Sequence, residues 1–175
     1  MEFSIEKSIE ILERTPETLR SLLSQLSDEW IYANEGEGTW SCYDVVGHLI
    51  HGDKTDWLVR AELILSDEDD KTFKPFDRFA QFENSKGKNL SQLLDEFEAC
   101  RKANLEKLKS FNLQQSDLSK KGLHPVFGEV TLSQLLSTWM VHDLDHISQI
   151  SRVLAKQYTK NVGPWIEYLK VLKLS

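Results

Sequence analysis

The sequence predicts an all-α chain folded as a four-helix bundle with a short C-terminal helix. Two observations carry this. Four stretches repeat apolar residues at three- and four-residue spacing, the period of one helix face. Residues suited to helix starts and loops punctuate them.

In the first stretch Ile5, Ile9 and Leu12 are followed by Leu19, Leu22, Leu23 and Leu26. Thr15-Pro16-Glu17 predicts a kink or restart between the two groups, with Thr15 as N-cap and Pro16 at the first helical position. Glu35-Gly36-Glu37-Gly38 is a loop. The second helix is expected after Trp40, opened by Ser41 with Asp44 as a capping-box pair. Val45, Leu49, Trp57, Ala61 and Ile64 line it, and it runs to the acidic stretch Ser66–Asp70, read as a solvated loop. Lys71–Lys88 is irregular, with Phe73, Phe76, Phe79 and Phe82 among charges, and reads as a long connection over the end of the bundle.

The third helix carries Leu90, Leu93, Leu94, Phe97, Leu105 and Leu108, with Asn89 as its candidate cap. Gly122–Gly128 is a turn region. Thr131 and Gln134 form a capping box opening the fourth helix, which is expected to reach about Tyr158. Gly163-Pro164 precedes a tail helix with Trp165, Tyr168, Leu169 and Leu172. At 175 residues the chain is expected to form one domain over 1–175, large enough to fold without a structural metal or disulfides.

The net charge of −7 disfavours a nucleic-acid role, because an acidic surface repels phosphate backbones. Cys42 and Cys100 form no metal-type pair and read as reduced thiols. The N-terminus, from Met1 onward, lacks the basic start and apolar run of a signal peptide, and no stretch approaches a membrane span. These points predict a cytoplasmic protein with no membrane partner.

The fourth helix carries the clearest chemical signal. Its apolar stripe reads Leu135, Trp139, His142, His146, Ile150, Val153. Two histidines one turn apart stand where Leu or Val is expected, so both rings share one face. Buried imidazoles need partners for their nitrogens, and a metal ion satisfies one nitrogen of each. A third ligand is needed, and the spacing leaves His48, His51, His124 and nearby carboxylates open. His51 reads in preference as a rim histidine and His124 as structural. Three protein ligands leave an open position, the arrangement of a catalytic rather than a structural site. Imidazole suits Zn, Ni, Cu and Fe alike, so the ligands alone do not choose the metal; the expectation is a divalent cation, zinc or nickel. The open position would hold a water or a thiolate, and no side chain is assigned as catalytic beyond it.

Asp44, one turn before His48, and Gln149, three residues after His146, are candidates to orient a ligand ring. Arg101 falls on the apolar stripe of the third helix. It reads as packing its stem while its head stays in water, with an anion-binding fork inside the cavity as the alternative.

At these residues the chain resembles the DinB-like (DinB/YfiT) superfamily of bacterial metal-binding four-helix proteins. The likeness runs through Trp40-Ser41, Val45 to His51, Asp56 to Arg60, Phe76-Asp77-Arg78, Leu90 to Leu105, His124 to Leu132, His142 to Ile150 and Val162 to Trp165. The resemblance implies an antiparallel bundle with a crossover, often dimeric, and the ligand set His48, His142 and His146. It also implies the activities of characterised relatives, which include S-transferases and isomerases using bacillithiol, mycothiol or glutathione, and some hydrolases. Many relatives carry His-Arg-Gly-Gln at the second ligand, whereas this chain has His146-Ile147-Ser148-Gln149 and so lacks that Arg. The expected function is a metal-dependent S-transferase using a low-molecular-weight thiol as co-substrate on a small molecule. The alternatives are a metal-dependent hydrolase and a non-catalytic metal or small-molecule binding protein.

Overall fold

The computed structural model describes residues 2–173; Met1 of the N-terminal stretch lies outside them. The chain is mostly helical and forms an antiparallel four-helix bundle with a crossover. Its first arm is α1 (Ile5–Leu12) and α2 (Thr15–Leu23), followed by the single turn α3 (Asp28–Ile31). The second arm is α4 (Cys42–Thr55) and α5 (Trp57–Leu65). A crossover containing α6 (Ala80–Ser85) leads to α7 (Leu90–Ser110). A hairpin of β1 (Lys121–His124) and β2 (Gly128–Thr131) then feeds α8 (Leu132–Lys156). α4 packs on α7 and α8, α1 and α5 pack on α8, and α2 packs on α7.

The helix starts follow local chemistry. Ser41 with Asp44, Asn89 with Gln92, and Thr131 with Gln134 each form a reciprocal capping box, satisfying amides that have no partner within the helix. Thr15 departs from expectation. It is the first residue of α2 rather than its cap, and its hydroxyl donates back to the Ile11 carbonyl at 3.3 Å. The second arm is broken at Asp56 (φ −118°, ψ −74°), which the apolar pattern did not reveal. The turn region read over Gly122–Gly128 is an antiparallel hairpin, pairing Lys121 with Thr131 and His124 with Gly128. The crossover is tied to it, because Phe73 donates to the Leu123 carbonyl and Leu123 to that of Lys71, both at 2.9 Å. The tail runs as 3-10 turns over Gly163–Tyr168 and Lys170–Leu172 in place of an α-helix.

Two glycines permit close approach. A Cβ on Gly122 would collide with the Phe73 ring and lie 2.9 Å from Ile64 Cγ1, so β1 needs Gly there. One on Gly47, one residue before His48, would lie 2.5 Å from Ser85 Oγ, so α6 lies close over α4 at that point, although a turn of the hydroxyl would relieve the contact. The apolar core has two parts. One gathers Leu49, Phe97 and Ile150, the other Trp57, Leu105 and Trp139. Between them α4, α7 and α8 each carry polar residues: His48 and Asp53, Arg101, and His142, Asp143 and His146. The site is therefore a polar layer between two apolar ones.

Candidate metal centre

His48 projects from the middle of α4, and His142 and His146 from successive turns of α8. The structure brings the three together. His142 Nε2 lies 3.1 Å from His48 Nε2 and 3.0 Å from His146 Nε2. All three donor atoms fall within 4.8 Å of one another. A tetrahedral cation with bonds of about 2.0–2.1 Å holds its nitrogens about 3.3 Å apart, so the triangle is near that size.

Hydrogen bonding alone does not account for this arrangement. Gln149 Oε1 lies 2.7 Å from His146 Nδ1, which places the proton on that nitrogen and turns the Nε2 lone pair inward. If His142 Nε2 carries a hydrogen, it has one N–H to share between two neighbours. If it does not, it has one lone pair for two donors. Either way one of the two close contacts lacks a proper hydrogen bond. A cation accepting all three lone pairs removes the conflict. His48 Nδ1 and His142 Nδ1 are buried without a partner among the described residues. Leaving them so costs free energy, while the opposite edge of each ring, its Nε2, faces the other histidines.

Burial sets the charge state. Desolvation, and then repulsion from neighbouring cationic groups, pushes His48 down to about 3 and His142 down to about 2; desolvation also lowers His146, against the opposing hydrogen bond to Gln149. All three imidazoles are held neutral, the state in which they bind metal. Aromatic rings wall the donors. Trp40 lies 4.8 Å from the His48 ring, Phe76 meets that ring edge-on at 5.5 Å, and Trp57 lies 5.0 Å from His142. A cavity of about 350 Å³ opens from His48 and His146 between Trp40, Phe76, Arg78, Gln149, Glu35 and Arg152.

The other sequence candidates fall elsewhere. His51 is buried rather than at the rim, because α6 and the crossover cover it. Its Nδ1 lies 3.4 Å from Asn84 Nδ2 and its ring packs against Phe76. Asp44 reaches no ligand ring, because its carboxylate accepts from the Ser41 amide at 2.9 Å and hydroxyl at 2.6 Å. His124 holds the hairpin turn, its Nδ1 accepting from the amides of Val126 and Phe127.

Arg101 corrects both expectations made for it, since it is 1% exposed and has no fork to offer a ligand. Its five N–H groups donate to Asp53 (2.8 and 3.0 Å), Asp143 (2.5 and 3.1 Å) and the Leu12 carbonyl (3.0 Å). Of the two aspartates flanking His142 and His146 in sequence, Asp143 is buried in this network and Asp145 is exposed. Sequence reading missed Asp53, which also accepts from Trp139 Nε1 at 3.2 Å. Its signal was available: it stands between Leu49 and Trp57 on an apolar stripe, as Arg101 does between Phe97 and Leu105. It also gave no role to Trp40, Glu35 and Arg152, whose place around the cavity depends on long-range packing.

Fold and histidine geometry together define a DinB-type protein. The DinB superfamily model matches residues 11–150, and the chain belongs to that superfamily. Among solved structures it resembles YfiT from Bacillus subtilis, with a TM-score of 0.75 and 21% identity over 89% of this chain and 90% of that one. That protein is described as a probable metal-dependent hydrolase with an unusual four-helix bundle topology. TT2238, a four-helix bundle protein, matches with a TM-score of 0.59 and 19% identity over 85% of this chain and 98% of its own. A DinB-like protein from Bacillus cereus ATCC 10987 matches with a TM-score of 0.57 and 19% identity over 90% and 95% of the two chains. No curated protein matches the chain. No helix among the described residues is long and apolar enough to cross a membrane.

Proposed function

We propose that the chain is a metal-dependent enzyme in which His48, His142 and His146 hold a divalent cation, zinc or nickel, and that it joins a low-molecular-weight thiol to an electrophilic small molecule. The observation that carries the reading is the convergence of three neutral imidazole nitrogens on one point beside an open cavity. Bound there, the cation supplies Lewis acidity, lowering the pKa of a water molecule or deprotonating a thiol outright. Neutral ligands leave its full positive charge available for this. Gln149 fixes the ring of His146, while Trp40, Trp57 and Phe76 exclude water and so strengthen the local field.

Proton handling favours the thiol over water. Glu35 is the carboxylate lining the cavity, and it is engaged by Arg152 at 2.8 Å and Lys156 at 2.9 Å. These contacts lower its pKa from the ordinary carboxylate value, the Arg152 hydrogen bond being the largest cause, which makes it a weaker base. A thiol held by a cation on His48, His142 and His146 would need no such base. Its proton would leave to solvent through the cavity, its sulfur would form the bond to carbon, and the leaving group would depart with the bonding electrons.

Hydrolysis is the second reading, favoured by the fold shared with the Bacillus subtilis protein. Zinc- and nickel-loaded protein incubated with cellular thiols and a chromogenic aryl halide is expected to turn over above the His48→Ala background. Ester cleavage without added thiol would shift the assignment to hydrolase. Silence in both assays would leave a binding protein. A homodimer acting on a small molecule belongs to the same proposal, and light scattering at twice the chain mass checks the dimer.

A further inference from the structure

Arg78 stands apart from the other arginines. The chain has six, at positions 14, 20, 60, 78, 101 and 152. Arg20, Arg60, Arg101 and Arg152 are in ion pairs, and Arg14 donates to the Glu10 carbonyl. Among the described residues Arg78 makes neither an ion pair nor a hydrogen bond; its guanidinium instead lies over Trp40 at 5.6 Å and Phe79 at 5.5 Å. These contacts hold the charge in place without using its N–H donors.

Its position gives that free charge a use. Arg78 lines the same cavity as His48 and His146, and Trp40 lies against both Arg78 and the His48 ring. The other cations beside the cavity, Arg152 and Lys156, are already held by Glu35. On a chain of net charge −7 the cavity thus keeps an unpaired, aromatic-supported cation in its lining, with Trp40 against both that cation and the His48 ring and Phe76 against the other side of the approach to His48.

We infer that Arg78 is the anchor for an oxyanion, a carboxylate or a phosphate, on a substrate whose planar apolar part lies along Trp40 and Phe76 with its reacting end toward the histidines. Guanidinium matches either oxyanion bidentately, and such charge-assisted bonds are stronger than neutral ones. The inference rests on the reading of this cavity as the reaction site and adds the substrate's chemical class.

Binding to metal-free protein tests it, because no cation is then present to attract the anion. Phenylacetate, phenyl phosphate and the neutral phenylacetamide are titrated calorimetrically against the native chain, Arg78→Gln, Arg78→Lys and the distant control Arg14→Gln. The native chain and Arg14→Gln are expected to prefer at least one anion over phenylacetamide by about tenfold, and the two anions show which oxyanion is taken. Arg78→Gln should lose that preference and Arg78→Lys keep part of it. Equal binding of anion and amide by the native chain, or a preference that survives in Arg78→Gln, would overturn the inference. Zinc titrations of the same proteins keep the two readings separate. Failure of the native chain to bind zinc would sink the metal assignment, while the anion preference would still decide the role of Arg78.

Discussion

Two polar clusters share one layer of the bundle and solve the problem of burial in opposite ways. Around Arg101 every N–H of the guanidinium has a partner, and Asp53 and Asp143 answer it from two other helices. That cluster is closed and ties α7 to α4 and α8. Beside it His142, next in sequence to Asp143, joins His48 and His146 in a cluster whose hydrogen bonds cannot all be made. That cluster is open and faces a cavity. The difference separates structure from function: buried charge that is fully satisfied inside the chain holds the fold, and buried donors that only an outside group can satisfy mark a site.

The largest effect should come from breaking the closed cluster. Arg101→Met leaves two buried carboxylates without their counter-charge, and such losses cost about 3–5 kcal/mol. Urea unfolding is expected to show a destabilisation of that order. A variant as stable as the native chain would mean the cluster holds nothing together.

The open cluster should respond to metal. Zinc at a hundredfold excess over its Kd is expected to stabilise the native chain by about 2.7 kcal/mol, a rise in Tm of about 5–10 °C for a chain of this size. Chelation should reverse it and His142→Ala should abolish it. A Tm indifferent to zinc in the native chain would remove the distinction between the clusters.

Gln149→Ala probes the support of the open cluster. Loss of such a ring-orienting bond commonly weakens metal affinity about 10–100-fold. Competition with a chromogenic chelator measures this, and unchanged affinity would assign Gln149 no orienting role.

A smaller effect concerns Asp56 at the α4–α5 break. Burial pushes its carboxyl up to about 6, against the pull of Arg60 at 2.6 Å. A raised folded pKa means that the folded chain holds the proton more tightly. The resulting stabilisation is complete below about pH 4 and is lost as pH rises through about 6. Asp56→Asn cannot ionise, so its stability relative to the native chain should grow across that window, by an amount on the order of 1–3 kcal/mol. A pH-independent difference would contradict the assignment.

The bundle and half of the site were legible in the sequence for the same reason. Helical periodicity shows which face is buried, and His142 and His146 interrupt such a face. What periodicity does not show is which buried residue meets which. His48 and His51 share α4 and are 7% and 8% exposed, so spacing alone did not separate them. Contact with Asn84 and Phe76 claims His51, and that depends on α6 settling over Gly47. Arg101 was misread for the same reason: its stripe position was visible, but the partners that draw its head inward lie on other helices. The hairpin was missed because strands of four residues are too short for alternation to register.

The central claim is that three imidazoles hold one cation and leave a position open for sulfur. X-ray absorption at the zinc edge tests it most directly, with zinc-loaded protein measured before and after addition of a low-molecular-weight thiol. The expected first shell has three imidazole nitrogens at about 2.0–2.1 Å, gains one sulfur at about 2.3 Å when the thiol is added, and is lost in His48→Ala. A shell of oxygens alone, or one unchanged in His48→Ala and by thiol, would contradict the account.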